Sequence, residues 1–362
     1  TDRSLKPNQN RSHNPQDHDL DRRYRSCPPR TFEAFCPDNI SEFVATSTET
    51  HFCDKHHELK TEFAEVSQYD DLMCRLFGFR SVIPSQMHRS LIAADNALAR
   101  QSDRHPDGWG VAYFVDGAPH VTKSPAHALS DALFHRVSGV VSSQTVLAHV
   151  RKATQGTLNV LNCHPFQYGR WVFAHNGDVP GFVDQHRALL LSHVDPRLRR
   201  YVLGETDSEV VFFLLLSHLL ATGPLAAPRT AEDVMRASRV TVAQVHALIP
   251  QPEGKANLLT FIVTDGTTLV AHHGGKELYY STYKTRCADR ETCRSLSPSC
   301  EAASAPGAQI NHLVISSEIL HGENQWTPLN YGDMVGIDAE MRLVFASGAP
   351  RADGSAPSTT CS

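Results

Sequence analysis

The pattern of hydrophobic and polar positions changes at residue 73. Residues 1–72 are rich in Asp, Arg, His, Asn, Pro and Ser, with isolated aromatics and no sustained period of 2 or 3.6. From Met73 the texture is globular. Residues 74–80 read as a short buried strand, and Leu91, Ile92, Ala94 and Leu98 mark one side of a helix over 85–100. Residues 108–115 read as a strand running into the Asp116-Gly117 turn, and 126–137 as a helix. Apolar stretches at 145–150 and 171–174 predict two more strands. A helical region over 184–201 is interrupted near Pro196. Thr206-Asp207-Ser208-Glu209 has the form of a capping box ahead of a helix over 210–220, and a further helix covers 231–248. Strand patterns return at 257–264, 268–272, 277–283, 312–316 and 342–345, and after Ser347 the chain is a frayed tail of Ala, Ser, Pro and Gly. Strands, then helices, then strands predict sheet layers covered by helices in one α+β domain over 73–346, with 347–362 as the tail.

Composition narrows the function classes. A chain of 362 residues holds one large domain or two smaller ones, and a net charge of -5 leaves no electrostatic footprint for nucleic acid. Nine scattered cysteines do not form a secreted disulfide framework. No apolar run reaches the ~18 residues of a membrane span, and no charged-then-apolar leader is seen, so a cytoplasmic location is expected. Residues 1–72 have three competing origins: upstream sequence translated with the gene, a propeptide or a disordered extension. The first is favoured because Met73 stands immediately before Cys74. Cys27, Cys36, Cys53, His56 and His57 lack the paired spacing of a structural zinc site.

Cys74 matters because of that methionine. If the chain starts at Met73 and the methionine is trimmed, Cys74 carries a thiol and a free α-amine together. An α-amine titrates near ~7.7–8.0 and takes a proton from a neighbouring thiol at neutral pH. With residues 1–73 attached, the same nitrogen is an amide and cannot act as a base.

Four motifs stand in order after Met73: Met73-Cys74-Arg75-Leu76-Phe77-Gly78, the stretch Ala148-His149-Val150-Arg151-Lys152-Ala153-Thr154-Gln155-Gly156, then Phe173-Ala174-His175-Asn176-Gly177, and Gly204-Glu205-Thr206-Asp207-Ser208-Glu209. Together they resemble the class II glutamine amidotransferases, which are N-terminal-nucleophile (Ntn) hydrolases. The segment Arg104-His105-Pro106-Asp107-Gly108-Trp109-Gly110 resembles the stand-alone branch of YafJ-like and ergothioneine-pathway amidohydrolase-like proteins. The resemblance implies an αββα sandwich of two antiparallel sheets with helices outside, and a reaction on a γ-glutamyl amide through a cysteine thioester.

The residue chemistry agrees with that implication. Glutamine, or any γ-glutamyl small molecule, presents a carboxylate, an ammonium and a carbonyl. Arg151 suits the carboxylate, because guanidinium binds it bidentately and stays charged; the bland alternative is a surface arginine at a strand end. Asp207 suits the ammonium and is expected to stay ionised at a helix N-terminus, where an ordinary helix-start aspartate is the alternative. Asn176 and Gly177 suit an oxyanion hole, although Asn-Gly is equally a hairpin turn. Thr154 joins the substrate-binding set. His149, His164 and His175 are expected to orient loops rather than act as general base, with Asp107 and Trp109 beside the nucleophile. Cys287, Cys293 and Cys300 read as loop thiols rather than a metal site, since they form no C-x₂-C pair.

No metal or organic cofactor is called for. The chain leaves no room for a synthase domain after this one, so either a partner subunit accepts the ammonia or the enzyme is a plain hydrolase, the latter being slightly favoured. Two rivals stand: another Ntn amidase, which would not need both Arg151 and Asp207, and a non-catalytic γ-glutamyl-binding protein in which residues 1–72 block the amine.

Overall fold

The computed structural model describes residues 74–86, 91, 97–251, 256–287, 290–291 and 296–348. All of them belong to one of two compact units, His57–Ser362; the other, Thr1–His56, lies outside the described residues, as do Cys27, Cys36, Cys53, Cys293 and the tail beyond 348.

Two sheets carry the fold. The first takes β1 (Arg75–Gln86), β2 (Trp109–Val115), β3 (Ala118–Ser124), β4 (Ser142–Val150), β9 (Tyr279–Ser281), β10 (His312–Ser316) and β11 (Thr327–Pro328), in the order β11-β9-β10-β1-β4-β2-β3. The second takes β5 (Phe166–Tyr168), β6 (Trp171–Asp178), β7 (Leu258–Thr264), β8 (Leu269–His272), β12 (Met334–Ile337) and β13 (Leu343–Ala346), in the order β13-β12-β8-β7-β6-β5. Every ladder is antiparallel. The helices are α1 (Leu98–Gln101), α2 (Ala132–Val140), α3 (Arg187–His193), α4 (Pro196–Arg199), α5 (Asp207–Ala221), α6 (Ala231–Leu248) and α7 (Ser297–Cys300).

The period of two in the strands builds the layers. In β1, Leu76 enters the core between the sheets, while Phe77 and Phe79 join Leu91, Leu98 and Phe134 in the core under the first helical layer. In β6, Val172 and Ala174 face the other sheet, while Trp171 and Phe173 pack with α5 and α6. The result is helix, sheet, sheet, helix: the expected αββα sandwich. Helix α5 is buried nearly all round, from Val210 through Leu216, because β6, α3, α4 and α6 surround it. Helix α6 keeps one buried stripe that includes Val234, Ala237, Thr241 and Val245.

Several expectations shift. The helix expected over 85–100 begins later: Ser85 and Gln86 close β1 against Ser143 and Ser142, after a register shift between Arg80 and Ser85 that accommodates Pro84. Helix is found at Leu98–Gln101, and residues 87–90 and 92–96 lie outside the described set. The helix expected over 126–137 divides into a 3₁₀ turn at Ala128–Ser130 and α2, because the Asp131 carboxylate accepts from Leu133 N and starts a new helix. Asn176 and Gly177 are not a hairpin turn; they are strand positions opposite Thr260 and Leu259 of β7. The capping box of α5 is half made. Thr206 accepts from Glu209 N, but the Glu209 carboxylate turns to Leu203 N (3.1 Å) and Gly204 N (2.6 Å).

Candidate active site

The alternation that sends Leu76, Leu147, Val172 and Ala174 between the sheets carries Cys74, His149, Arg151 and Asn176 toward the same space, at one end of the sandwich. Cys74 lies just ahead of β1. Its Sγ accepts from Lys152 N (3.2 Å) and donates to Lys152 O (3.3 Å), across from the end of β4. Although the residue is only half-buried, burial of the thiol pushes its pKa up to about 11; Lys152 N–H, Arg151 and Arg75 pull it down, and Asp207 pushes it up. Arg75 is held by Glu318 at 3.1 Å.

The loop after β4 is fixed from below. Arg151 N donates to Gly108 O (2.7 Å), Asp107 N donates to Arg151 O (3.1 Å), and the Asp107 carboxylate accepts from Ala153 N (2.8 Å). Asp107 therefore shapes the loop that presents Arg151. The Arg151 side chain is buried; Nη2 donates to Gln155 O (2.6 Å) and Nη1 has no partner. Thr154 is exposed on the same loop. Trp109 points away, its ring against Phe134 at 5.0 Å and its Nε1 on Asp131.

Asn176 is buried and its Oδ1 has no partner. At Gly177 an added Cβ would lie 1.9 Å from Leu258 O and 2.3 Å from His175 Nε2, so only glycine lets β6 approach β7 this closely. His175, on the helix-facing side, donates from Nε2 to Leu258 O (2.9 Å), and its Nδ1 lies 2.8 Å from Ser208 Oγ. The next residue inward is Asp207. Its carboxylate accepts from Val179 N (2.8 Å) and Ser208 N (2.8 Å) at the start of α5. Burial works against the helix-end effect on which its expected ionisation rests. Burial pushes the Asp207 carboxyl above its ordinary value, assisted by the Asp178 charge, while His175 and the two backbone N–H groups oppose it.

Residues 73–359 match the family model described as "Glutamine amidotransferases class-II". The chain belongs to this family. It is 30% identical over 224 residues to the "Probable glutamine amidotransferase DUG3" of Saccharomyces cerevisiae, covering 55% of this chain and 62% of that one. Over 74 residues it is 43% identical to the "Gamma-glutamyl-hercynylcysteine sulfoxide hydrolase" of Mycobacterium tuberculosis, 20% of this chain and 32% of that one. Among solved structures, it is similar to a "glutamine aminotransferase class-II domain protein" from Silicibacter pomeroyi, with a TM-score of 0.50 and 25% identity over 76% of this chain and all of that one. The chain spans between 39% and 63% of the lengths of the first curated relatives it matches.

The family is one of enzymes, and this member has an αββα sandwich of two antiparallel sheets. Among its described residues no helix is long and apolar enough to cross a membrane, and no group of three or more His, Cys, Asp or Glu residues is placed to hold a metal ion. Cys287 and Cys300 are buried free thiols. Burial, with Arg151 next, holds His149 down at about 3, and burial beside His149 holds His164 well below its ordinary value. Their rings lie 4.2 Å apart.

The structure adds residues to which sequence reasoning gave no role. Gln155 donates from Nε2 to Asp178 Oδ1 (2.6 Å) and Val179 O (3.0 Å), leaving its buried Oε1 without a partner. Gln155 stood inside the second motif and Asp178 directly after the third, and that position was their only signal. Ser208, between His175 and Asp207, was likewise visible only as part of a helix start.

Proposed function

We propose that this amidotransferase, once the residues ahead of Cys74 are removed, hydrolyses the γ-amide of glutamine or of a γ-glutamyl compound. One observation carries the reading. A single run of hydrogen bonds fixes a buried arginine and a buried aspartate, and both charges act on the Cys74 thiol, while Arg151 Nη1 and Asn176 Oδ1 are buried and unpaired. A buried guanidinium N–H without an acceptor is costly, and a ligand carboxylate removes that cost.

In this reading Arg151 holds the α-carboxylate and Asp207 the α-ammonium, with Thr154 at the rim. The freed α-amine of Cys74 takes the thiol proton, and the thiolate attacks the γ-carbonyl carbon. Asn176 Nδ2 and Gly177 N–H stabilise the oxyanion. The C–N bond breaks, the amine leaves with the proton held on the Cys74 nitrogen, and a thioester remains. Water then adds to the thioester carbonyl, releasing the γ-carboxylate and restoring the thiol. Removing one oxyanion donor typically costs ~10²–10³ in turnover. His149 and His164, kept neutral by burial, and His175, bonded to Leu258 O and beside Ser208, position the strands around this chemistry. The name of the mycobacterial relative supports hydrolysis rather than delivery of ammonia to a partner subunit.

A second reading has its own observation. In a chain that keeps residues 1–73 the Cys74 nitrogen is an amide and burial pushes the thiol up to about 11, so that chain is a γ-glutamyl-binding form without turnover. Intact mass of the native protein separates the two: a chain beginning at Cys74 fits the enzyme, and one that keeps residues ahead of it fits the binding form. On the chain beginning at Cys74, release of ammonia or amine from γ-glutamyl substrates tests the chemistry. The Cys74→Ser variant is expected to lose most turnover while still binding substrate, and near-wild-type turnover would sink the nucleophile assignment.

A further inference from the structure

We infer that Gln155 is a positioning residue that sets the separation between the two charged poles of the pocket, and so makes the site selective for ligands that carry an α-carboxylate and an α-ammonium together. The inference rests on the roles of Arg151 and Asp207 proposed above. Among the described residues, Gln155 links them in the run of hydrogen bonds. Its backbone carbonyl accepts from Arg151 Nη2 at 2.6 Å. Its carboxamide nitrogen donates to Asp178 Oδ1 at 2.6 Å and to Val179 O at 3.0 Å. The amide of that same Val179 donates to Asp207 Oδ2 at 2.8 Å. One residue thus ties the guanidinium by its main chain and the carboxylate's holder by its side chain.

Chemistry explains why a carboxamide serves here. Its two N–H groups meet two acceptors, the Asp178 carboxylate and the Val179 carbonyl, and one of these bonds is assisted by charge. A glutamate at 155 would set a second carboxylate against Asp178, and an aliphatic residue would leave both acceptors without this donor. The remaining carboxamide atom, Oε1, is buried and unpartnered.

The energetic signature follows from the geometry. A ligand that engages one pole does not need the separation, so loss of the strut leaves its affinity nearly unchanged. A ligand that engages both loses the benefit of a fixed spacing. General loss of structure would weaken all ligands alike.

The test is calorimetric titration of the 362-residue chain with L-glutamine, with glutaramate, which lacks the α-amine, and with 4-aminobutanamide, which lacks the α-carboxylate. Wild type should prefer glutamine to both analogues. Gln155→Met keeps the length of the side chain and removes its donor; it should weaken glutamine about tenfold, the size of one charge-assisted hydrogen bond, and each analogue less than twofold. Asp178→Ala removes one of the two acceptors of Gln155 Nε2 and leaves its bond to Val179 O, so it should weaken glutamine by a smaller factor than Gln155→Met does. Equal weakening of all three ligands in both variants, or unchanged glutamine affinity, overturns the inference. Wild-type preference for glutamine with no change in the variants refutes the strut while leaving the two poles standing. A wild type that binds glutamine no better than the analogues refutes the poles, and the strut with them.

Discussion

Two helices in this molecule start with the same local device and use it differently. Helix α6 begins at Thr230, whose hydroxyl accepts from Asp233 N while Asp233 reaches back to Thr230 N; the box closes on itself at the surface. Helix α5 begins at Thr206, and there the box opens. Glu209 leaves the cap to hold Leu203 N and Gly204 N, and Asp207 turns to Val179 N, 28 residues earlier in the chain. The first start stabilises its own helix. The second joins three segments and holds a buried carboxylate whose charge acts on the Cys74 thiol. A cap that satisfies itself is structural, and one that exports its side chains marks where helix stability has been exchanged for a site.

The largest test of this contrast is in the helix bodies. Phe212 in α5 is fully buried and stacked on Phe173 at 5.3 Å, so Phe212→Ala should lower unfolding free energy by ~3–5 kcal/mol in denaturant melts. The exposed Arg239→Ala on α6 should stay within about 0.5 kcal/mol. Next in size is Asp207→Ala, expected to cut glutamine affinity by about 2 kcal/mol or more, roughly thirtyfold, in titration of the 362-residue chain.

The same variant has a pH signature. In the 362-residue chain the Cys74 thiol is neutral below its raised pKa of about 11, so its alkylation by iodoacetamide should climb roughly tenfold per pH unit up to that point. The Asp207 charge is one of the groups pushing that value up, so Asp207→Ala should move the profile to lower pH and speed alkylation at any fixed pH below it. An unmoved profile would separate the aspartate from the thiol. Glu209→Ala, which leaves two backbone N–H groups without their acceptor, should cost ~1–3 kcal/mol of stability. The smallest effect belongs to the closed box: Thr230→Ala should cost ~1 kcal/mol and leave the Cys74 profile unchanged.

Much of the scaffold was legible because strand alternation is a local signal. The β10 pattern at 312–316 matches the strand found there, and the break near Pro196 separates α3 from α4. What escaped depends on partners distant in sequence. Asn-Gly reads as a turn until β7 pairs with it, and β12 is a four-residue run whose strand character comes from β8 and β13 on either side. Edge strand β3 is too polar to announce itself. At the site, the motifs drew attention to Cys74, Arg151 and Asp207, whose charges meet at the thiol. They did not reveal Gln155 or Asp178, because a hydrogen bond between two loops leaves no periodic trace. Nor did the helix start disclose how far burial would raise the Asp207 carboxyl.

The bond from Val179 N to Asp207 gives the pocket a built-in reporter. An amide proton held against a carboxylate shifts its resonance when that carboxylate is protonated or engages a cation, and it exchanges slowly with solvent while the bond persists. A single labelled valine signal would therefore register occupancy of the proposed ammonium end without any turnover. Screening of candidate γ-glutamyl compounds can then proceed by spectrum on the uncut chain, before the start of the mature protein is known.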